Sequence, residues 1–233
     1  MRALVAVFLA VLAPGCASVP GQGNPRDPWE EYNRSAYALN DAFDRAAFKP
    51  VAEVYANGTP DFLREGVANF FENIYDINTG INNILQGKVA DGVGDLARFA
   101  VNSVMGIGGL WDVATPMGLE KHHEDFGQTL GRWGVPPGPY FVIPFLGPST
   151  LRDAPARFVD PNYAYNRQIS DIALRNSLFG LDTVRTRADL LKAGKIRDEA
   201  ALDPYSFTRD AWLQRRRNQV YDGRPPRDPE DDE

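Results

Sequence analysis

Four adjacent residues, His122-His123-Glu124-Asp125, carry the imidazole and carboxylate groups that bind metals or move protons. Their spacing works against that use. Neighbouring side chains on a helix point about 100° apart, so the four do not converge on one ion. Neither H-E-x-x-H, G-x-S-x-G nor a P-loop pattern occurs. A polar turn capping a helix that starts at Phe126 is the simpler reading. No metal or other cofactor is implied, and the chain is not expected to be an enzyme. A second group is the lone cysteine, Cys16, which excludes an internal disulfide and a cysteine-based zinc site. Third, Arg215-Arg216-Arg217 could meet lipid phosphates or a partner, or form the solvated face of a last helix.

The setting of Cys16 says what its thiol is for. Arg2 precedes an apolar run of 11 residues, Ala3 to Ala13, followed by Pro14-Gly15. That run is too short to cross a bilayer, which takes about 20 residues, but it fits the apolar region of a secretory signal. A cysteine directly behind such a segment resembles the lipid acceptor of a bacterial lipoprotein, although Leu12 stands one place earlier than the usual pattern. The expected organisation is a signal peptide over residues 1–15, a lipidated tether over 16–26, one folded domain over 27–222 and a disordered acidic tail over 223–233. The whole chain of 233 residues has a net charge of −6, which argues against nucleic acid as a partner. Its 43% hydrophobic content is enough to bury a core.

The body reads as mainly α. Asp27-Pro28-Trp29-Glu30 has the form of a helix start, with Asp27 as cap and Pro28 at the first position. Trp29, Tyr32, Ala36, Leu39, Phe43 and Ala47 then share one face, and Pro50 should end the helix. Thr59-Pro60 opens another, with Leu63, Val67, Phe70 and Ile74 on one side. Asp76 is expected to cap a short helix closed by Gly87. Further helices are expected from Val89 to Val104, from Arg167 to Lys192 with a break at Gly180, and from Ala211 to Val220. Only Tyr140 to Ile143 has the composition of a strand.

Two stretches lack charge. One is Phe99 to Trp111, with glycines at 106, 108 and 109. The other is Trp133 to Leu151, 19 residues with five prolines and three glycines. A helix of that content would be broken repeatedly, so the second must be a rigid apolar loop or short hairpin, packed on the core or touching lipid.

At this point motifs in fixed order resemble the VacJ/MlaA family of outer-membrane lipoproteins. They are Asp27-Pro28-Trp29-Glu30 with Asn33-Arg34, then Asn83-Ile84-Leu85-Gln86-Gly87. Next come Arg98-Phe99, Asn102-Ser103, Gly106-Ile107-Gly108-Gly109 and Asp112-Val113-Ala114. Last are Phe126 to Gly131, Gly138-Pro139-Tyr140, Pro144-Phe145 and Leu151-Arg152-Asp153. The resemblance implies a single-domain ring of amphipathic helices with a short Pro/Gly-rich hairpin or loop. The ring would be lipid-anchored at its N-terminus and lie in the periplasmic leaflet of the outer membrane. It implies phospholipid transfer to a soluble periplasmic lipid-binding protein, next to a porin trimer, removing mislocalised phospholipid from the outer leaflet to keep lipid asymmetry. A structural lipoprotein that scaffolds a porin without moving lipid is the alternative.

Under that resemblance the lipid attachment point is Cys16. Channel or headgroup candidates are Asn33, Arg34, Asn40, Arg98, Asn102 and Ser103. Equally, Asn33, Arg34, Asn40, Asn102 and Ser103 could serve as ordinary caps and helix–helix hydrogen bonds, and Arg98 could pair with Asp95 or Asp112. A gating loop would comprise Gly134, Gly138, Pro139, Tyr140, Pro144, Phe145 and Gly147, with the glycines as hinges and Pro136-Pro137 as a stiffener. Helices in such a ring would turn apolar faces to lipid and polar faces inward.

Overall fold

A computed structural model describes residues 24–160 and 169–226. Cys16, the signal segment, most of the tether and most of the acidic tail lie outside the described residues.

The first helix, α1 (Glu30–Phe43), runs through a π-helical turn (Asp44–Phe48) into α2 (Lys49–Gly58). Pro50 therefore does not end the helix. Proline has no N–H and its ring clashes with the carbonyl four residues back. The wider turn, in which the Lys49 amide reaches back to the Asp44 carbonyl, takes up that mismatch. Asp27 is not the cap of α1 either; the N-cap position is Trp29, without a side-chain bond.

Helix α3 (Asp61–Leu85) and α4 (Val89–Met105) form an antiparallel hairpin, the most extensive helix pair of the fold. Asp76 lies mid-helix rather than at a cap, because α3 runs unbroken for 25 residues, about 38 Å. The two helices touch through glycine: a Cβ on Gly80 would lie 2.8 Å from the Gly92 carbonyl, and one on Gly92 2.6 Å from that of Gly80. The turn between them closes at Gly87, as the sequence suggests, with φ of +85°.

After a strap over residues 106–125 come α5 (Phe126–Arg132) and a hairpin of β1 (Tyr140–Ile143) and β2 (Gly147–Thr150). The strands pair antiparallel, Tyr140 opposite Thr150. Helices α6 (Asp153–Val159), α7 (Ile172–Asp189), α8 (Leu191–Ala200) and α9 (Pro204–Val220) follow. Gly180 does not break α7; the break falls at Leu190. α9 starts seven residues earlier than its apolar pattern, at an Asp203 cap whose side chain accepts from the Tyr205 amide. Packing runs from α3 to α5, α5 to α9, α9 to α8, α8 to α7 and α7 back to α3. This closes a ring of helices.

The ring is inside-out. Among the described residues the buried apolar set is small: five alanines, two valines, a phenylalanine and two tyrosines. Twice as many polar or charged residues are buried. On the outside, 35 large apolar side chains are exposed, from Trp29 and Phe62 to Val104 and Trp111. The stripe Trp29, Tyr32, Leu39 and Phe43 faces outward, while Asn33 and Ala36 face in. Both helices of the α3–α4 hairpin repeat this pattern. No helix of the described residues is long and apolar enough to cross a membrane.

Candidate functional site

The polar interior is built from α3. Its inward positions are Asn73, Asp76, Asn78, Thr79, Asn82 and Asn83, all buried. Most of them bond a neighbour, although Asn73 Oδ1, Asp76 Oδ2 and Asn83 Oδ1 are buried without a hydrogen-bond partner. Asn83 donates to Asp95 at 2.8 Å, Asn73 to the Ser103 hydroxyl at 2.9 Å and Asn78 to Asp160 at 2.6 Å. The Thr129 hydroxyl of α5 donates to the side-chain oxygen Oδ1 of Asn82 at 2.7 Å. Sequence reasoning missed this set; the signal was a run of Asn and Asp at helical spacing between the apolar positions.

The strap over α3 and α4 is pinned by charge. Arg98, 2% exposed, donates to both Asp112 oxygens at 3.0 and 3.1 Å and to the Thr115 hydroxyl and Leu119 carbonyl. Burial works against the charge on Asp112, but bonds from Thr115, Asn102 and Arg98 outweigh it and hold its pKa down at about 2. Lys121 bonds Asp76, whose pKa burial nevertheless raises. His122 Nδ1 lies 3.1 Å from Asp95 and His123 3.8 Å from Glu72. Glu124 accepts from Gln86 and Lys88, and Asp125 caps α5 by accepting from the Gln128 amide. The four adjacent residues thus diverge to four separate partners. Among the described residues no group of three or more His, Cys, Asp or Glu is placed to hold a metal ion.

Around Arg216 the charges concentrate. Its guanidinium bonds Asp125 at 2.5 and 2.6 Å and Asp153 at 3.0 Å. Burial opposes both carboxylate charges, but Arg216 outweighs it and holds both pKa values below the usual range. Asp160 is the third carboxylate. Burial first, and the nearby charge of Asp125 second, push it up to about 6. A cavity of about 170 Å³ opens on these groups, and a second of about 330 Å³ lies beneath residues 134–137; Arg216 borders both. A third, of about 370 Å³, lies between α2 and α8 and is lined by mixed charges.

The channel candidates all have partners inside the protein. Asn33, fully buried, donates to Asp27 at 2.7 Å and to the Tyr140 carbonyl at 3.2 Å, and accepts from the Val142 amide at 2.8 Å. Asn40, one α1 face further on, donates to Ile143 O at 3.0 Å and accepts from Phe145 N at 2.6 Å. Arg34 pairs with Asp203 and Glu30 and lies 4.5 Å over the Tyr205 ring. Asn102 accepts from the Val113 and Ala114 amides, and Ser103 accepts from Asn73. Arg98 takes Asp112 rather than Asp95. These six brace the strap, the hairpin and α9. Asp27 is a buried hub, accepting from Asn33, Tyr205 and Arg209.

In the loop, Gly134, Gly138 and Gly147 have φ of +90°, +66° and +82°, conformations that favour glycine. Tyr140 is fully buried and sits in the small apolar core with Ala36, Val142 and Tyr205. Pro139 receives the Leu151 amide on its carbonyl. Pro144 and Phe145 form the hairpin tip, and the Phe145 ring meets Phe43 edge-on at 5.2 Å. Tip and root are both fastened to α1.

A family profile described as "MlaA lipoprotein" matches residues 25–219. The chain belongs to the MlaA lipoprotein family. It is 34% identical to the intermembrane phospholipid transport system lipoprotein MlaA of Escherichia coli (strain K12) over 209 residues, covering 88% of this chain and 82% of the relative. The Haemophilus influenzae protein of the same name is 28% identical and is covered to 91%. An uncharacterised Rickettsia typhi protein is 39% identical over 140 residues, and the match spans 55% of its length. A solved chain from work on the "Structural basis for maintenance of bacterial outer membrane lipid asymmetry" superposes with a TM-score of 0.72 at 30% identity. That match covers 83% of this chain and 98% of the solved one.

Proposed function

We propose that this protein is an outer-membrane lipoprotein that passes phospholipids between the outer membrane and a soluble periplasmic lipid carrier, withdrawing mislocalised phospholipid from the outer leaflet. The observation that carries this reading is the inverted distribution of polarity. Apolar side chains in such number on the outside are costly in water and favourable among acyl chains. The fold gathers its polar side chains in the interior, away from a perimeter where an unsatisfied polar group among acyl chains would cost several kcal/mol. With no spanning helix among the described residues, the ring would lie within one leaflet, anchored by acyl chains on Cys16. A porin trimer is the proposed neighbour of its apolar perimeter. No bond of the lipid is made or broken, so no catalytic group is required. The names of the relatives support the same role.

Reconstituted transfer tests it. Full-length protein, embedded with a porin in donor vesicles, should pass labelled phospholipid to a periplasmic carrier, and deletion should raise outer-leaflet phospholipid in cells. Binding to the porin with no lipid transfer and a normal outer leaflet would overturn it in favour of a scaffold.

A further inference from the structure

Helices α7 and α8 contribute little to the interior. Arg185 is the one buried residue on α7, and α8 has none. On α2, along which α7 lies, the one buried residue is Ala52. So small an apolar seam docks a helix weakly, because buried carbon is what usually holds helices together. Charge holds this pair instead. Arg187, near the end of α7, bonds Asp44 of the π turn with two nitrogens at 2.6 and 2.8 Å. Arg197 of α8 reaches Asp41 at 3.3 Å, and Arg45 reaches Asp198 at 3.9 Å. All the side chains of this clasp are partly exposed. On its other side α7 meets α3 through Arg185, 3.6 Å from Glu72, and through Asp182, which accepts from the Tyr75 hydroxyl. The cavity of about 370 Å³ between α2 and α8 is walled by the clasp, so these two helices meet through charges and not through packed carbon.

Exposed ion pairs are individually weak, break readily and are screened by salt. The rest of the ring is closed more firmly, by the Gly80–Gly92 contact between α3 and α4 and by the Arg216 cluster that ties α9 to Asp125 and Asp153. A segment with few buried apolar contacts opens before its neighbours. We propose that α7 and α8 form a side gate in the ring: the pair swings out as a unit when the clasp at Asp41, Asp44 and Arg45 lets go, and opens the α3 interior at Glu72 and Asp76 sideways to the bilayer. Leu202, fully exposed where the chain turns into α9, marks the hinge. The proposal rests on the lipid-transfer reading for its purpose, while the opening itself is measured without lipid transfer. A closed ring would make a phospholipid drag both acyl chains past buried Asn and Asp side chains. A side opening spares it that: the polar headgroup enters, and the chains stay among other chains.

The test uses full-length protein in lipid nanodiscs. Backbone amides of α7 and α8 should exchange hydrogen through an opening that leaves α3 and α4 protected. Arg187→Ala should speed that exchange about tenfold, the loss expected for a charge-assisted, two-pronged pair, and leave α3 and α4 unchanged. The swap Asp44→Arg/Arg187→Asp should recover part of it. Should the alanine variant misfold, the wild type in about 1 M salt, where screening acts within roughly 3 Å, should show the same selective rise. Exchange of α7 and α8 only together with α3 and α4, or no response to variant or salt, overturns the gate. A second readout joins the opening to transfer. Asp44→Cys/Arg187→Cys, bridged by a short bis-maleimide, should lose nearly all passage of labelled phospholipid to a periplasmic carrier while keeping its thermal midpoint. Either single cysteine treated alike should not. Bridged protein that transfers at the unbridged rate overturns the gate and leaves lipid transfer standing. A wild type that transfers nothing removes the lipid-transfer reading, and hydrogen exchange then decides the opening by itself.

Discussion

Asn40 fastens the hairpin tip by holding Phe145. Its side-chain oxygen accepts the Phe145 amide at 2.6 Å while its nitrogen donates to Ile143 O at 3.0 Å. Phe145 has φ of +64°, a left-handed backbone that a bulky side chain adopts at a cost. Seven residues earlier on the same face, Asn33 does the same for Tyr140 and Val142. α1 thus offers β1 a polar edge made of two amide side chains. Motion of this segment is therefore expected in residues 134–138, not by a swing of the whole hairpin.

Replacing these asparagines measures the clamp. Asn33→Ala removes the side-chain partner of Tyr140 O and Val142 N and one of the three donors to Asp27, and should cost about 2–4 kcal/mol. Asn40→Ala, at a half-buried site, should cost about 1 kcal/mol. Chemical denaturation gives the losses, and hydrogen exchange at Val142 and Phe145 should accelerate. Equal, small losses at both positions would show that the clamp does not hold the hairpin.

Arg216→Ala strips the counter-charge from Asp125 and Asp153. Breaking one partner out of a buried ion cluster costs roughly 3–5 kcal/mol. Both carboxylates are held below their ordinary pKa by Arg216, so their contribution is present above about pH 4 and lost as pH falls below it. The variant should therefore be much weaker than the wild type at pH 7, and the gap should narrow as pH falls below about 4. A deficit that stays constant with pH would assign the loss to packing.

Asp160 acts with the opposite sign. Burial and Asp125 raise its pKa from 3.8 to about 6, so between those values the folded protein holds a proton the unfolded chain has released. Stability falls as pH rises across that window, and the penalty, of order 3 kcal/mol, is complete above it. Asp160→Asn should flatten the stability profile between about pH 4 and 6. An unaltered slope there would place the titration elsewhere.

Gly80 and Gly92 set the spacing of the α3–α4 hairpin. Since a Cβ at either position falls within 2.8 Å of the opposite carbonyl, alanine at either must push the helices apart. Gly92→Ala should lower stability by about 1–3 kcal/mol, although alanine is the better helix former. A thermal melt at or above the wild-type midpoint would refute the close contact.

Much was legible from residue types alone. The mainly helical class, the hairpin strand at Tyr140 to Ile143, the Gly87 turn and the Asp125 cap all follow from local chemistry within a few residues, and so did the family motifs. The limits are equally physical. Helical periodicity separates two faces but is blind to which one meets the surroundings, so the spacing of Trp29, Tyr32, Leu39 and Phe43 gave one shared face, and the fold turned it outward. Asp27, Asp76 and Pro50 look like helix ends because capping and chain-breaking are local rules. Their outcome was decided by groups far along the chain: Tyr205 and Arg209 for Asp27, Lys121 for Asp76. For Pro50 a π turn absorbed the clash. The sequence by itself determined the helices and their polar and apolar faces. Only the tertiary structure, by closing the ring, decided that the polar faces point inward and that arginines from both ends of the chain share one cavity.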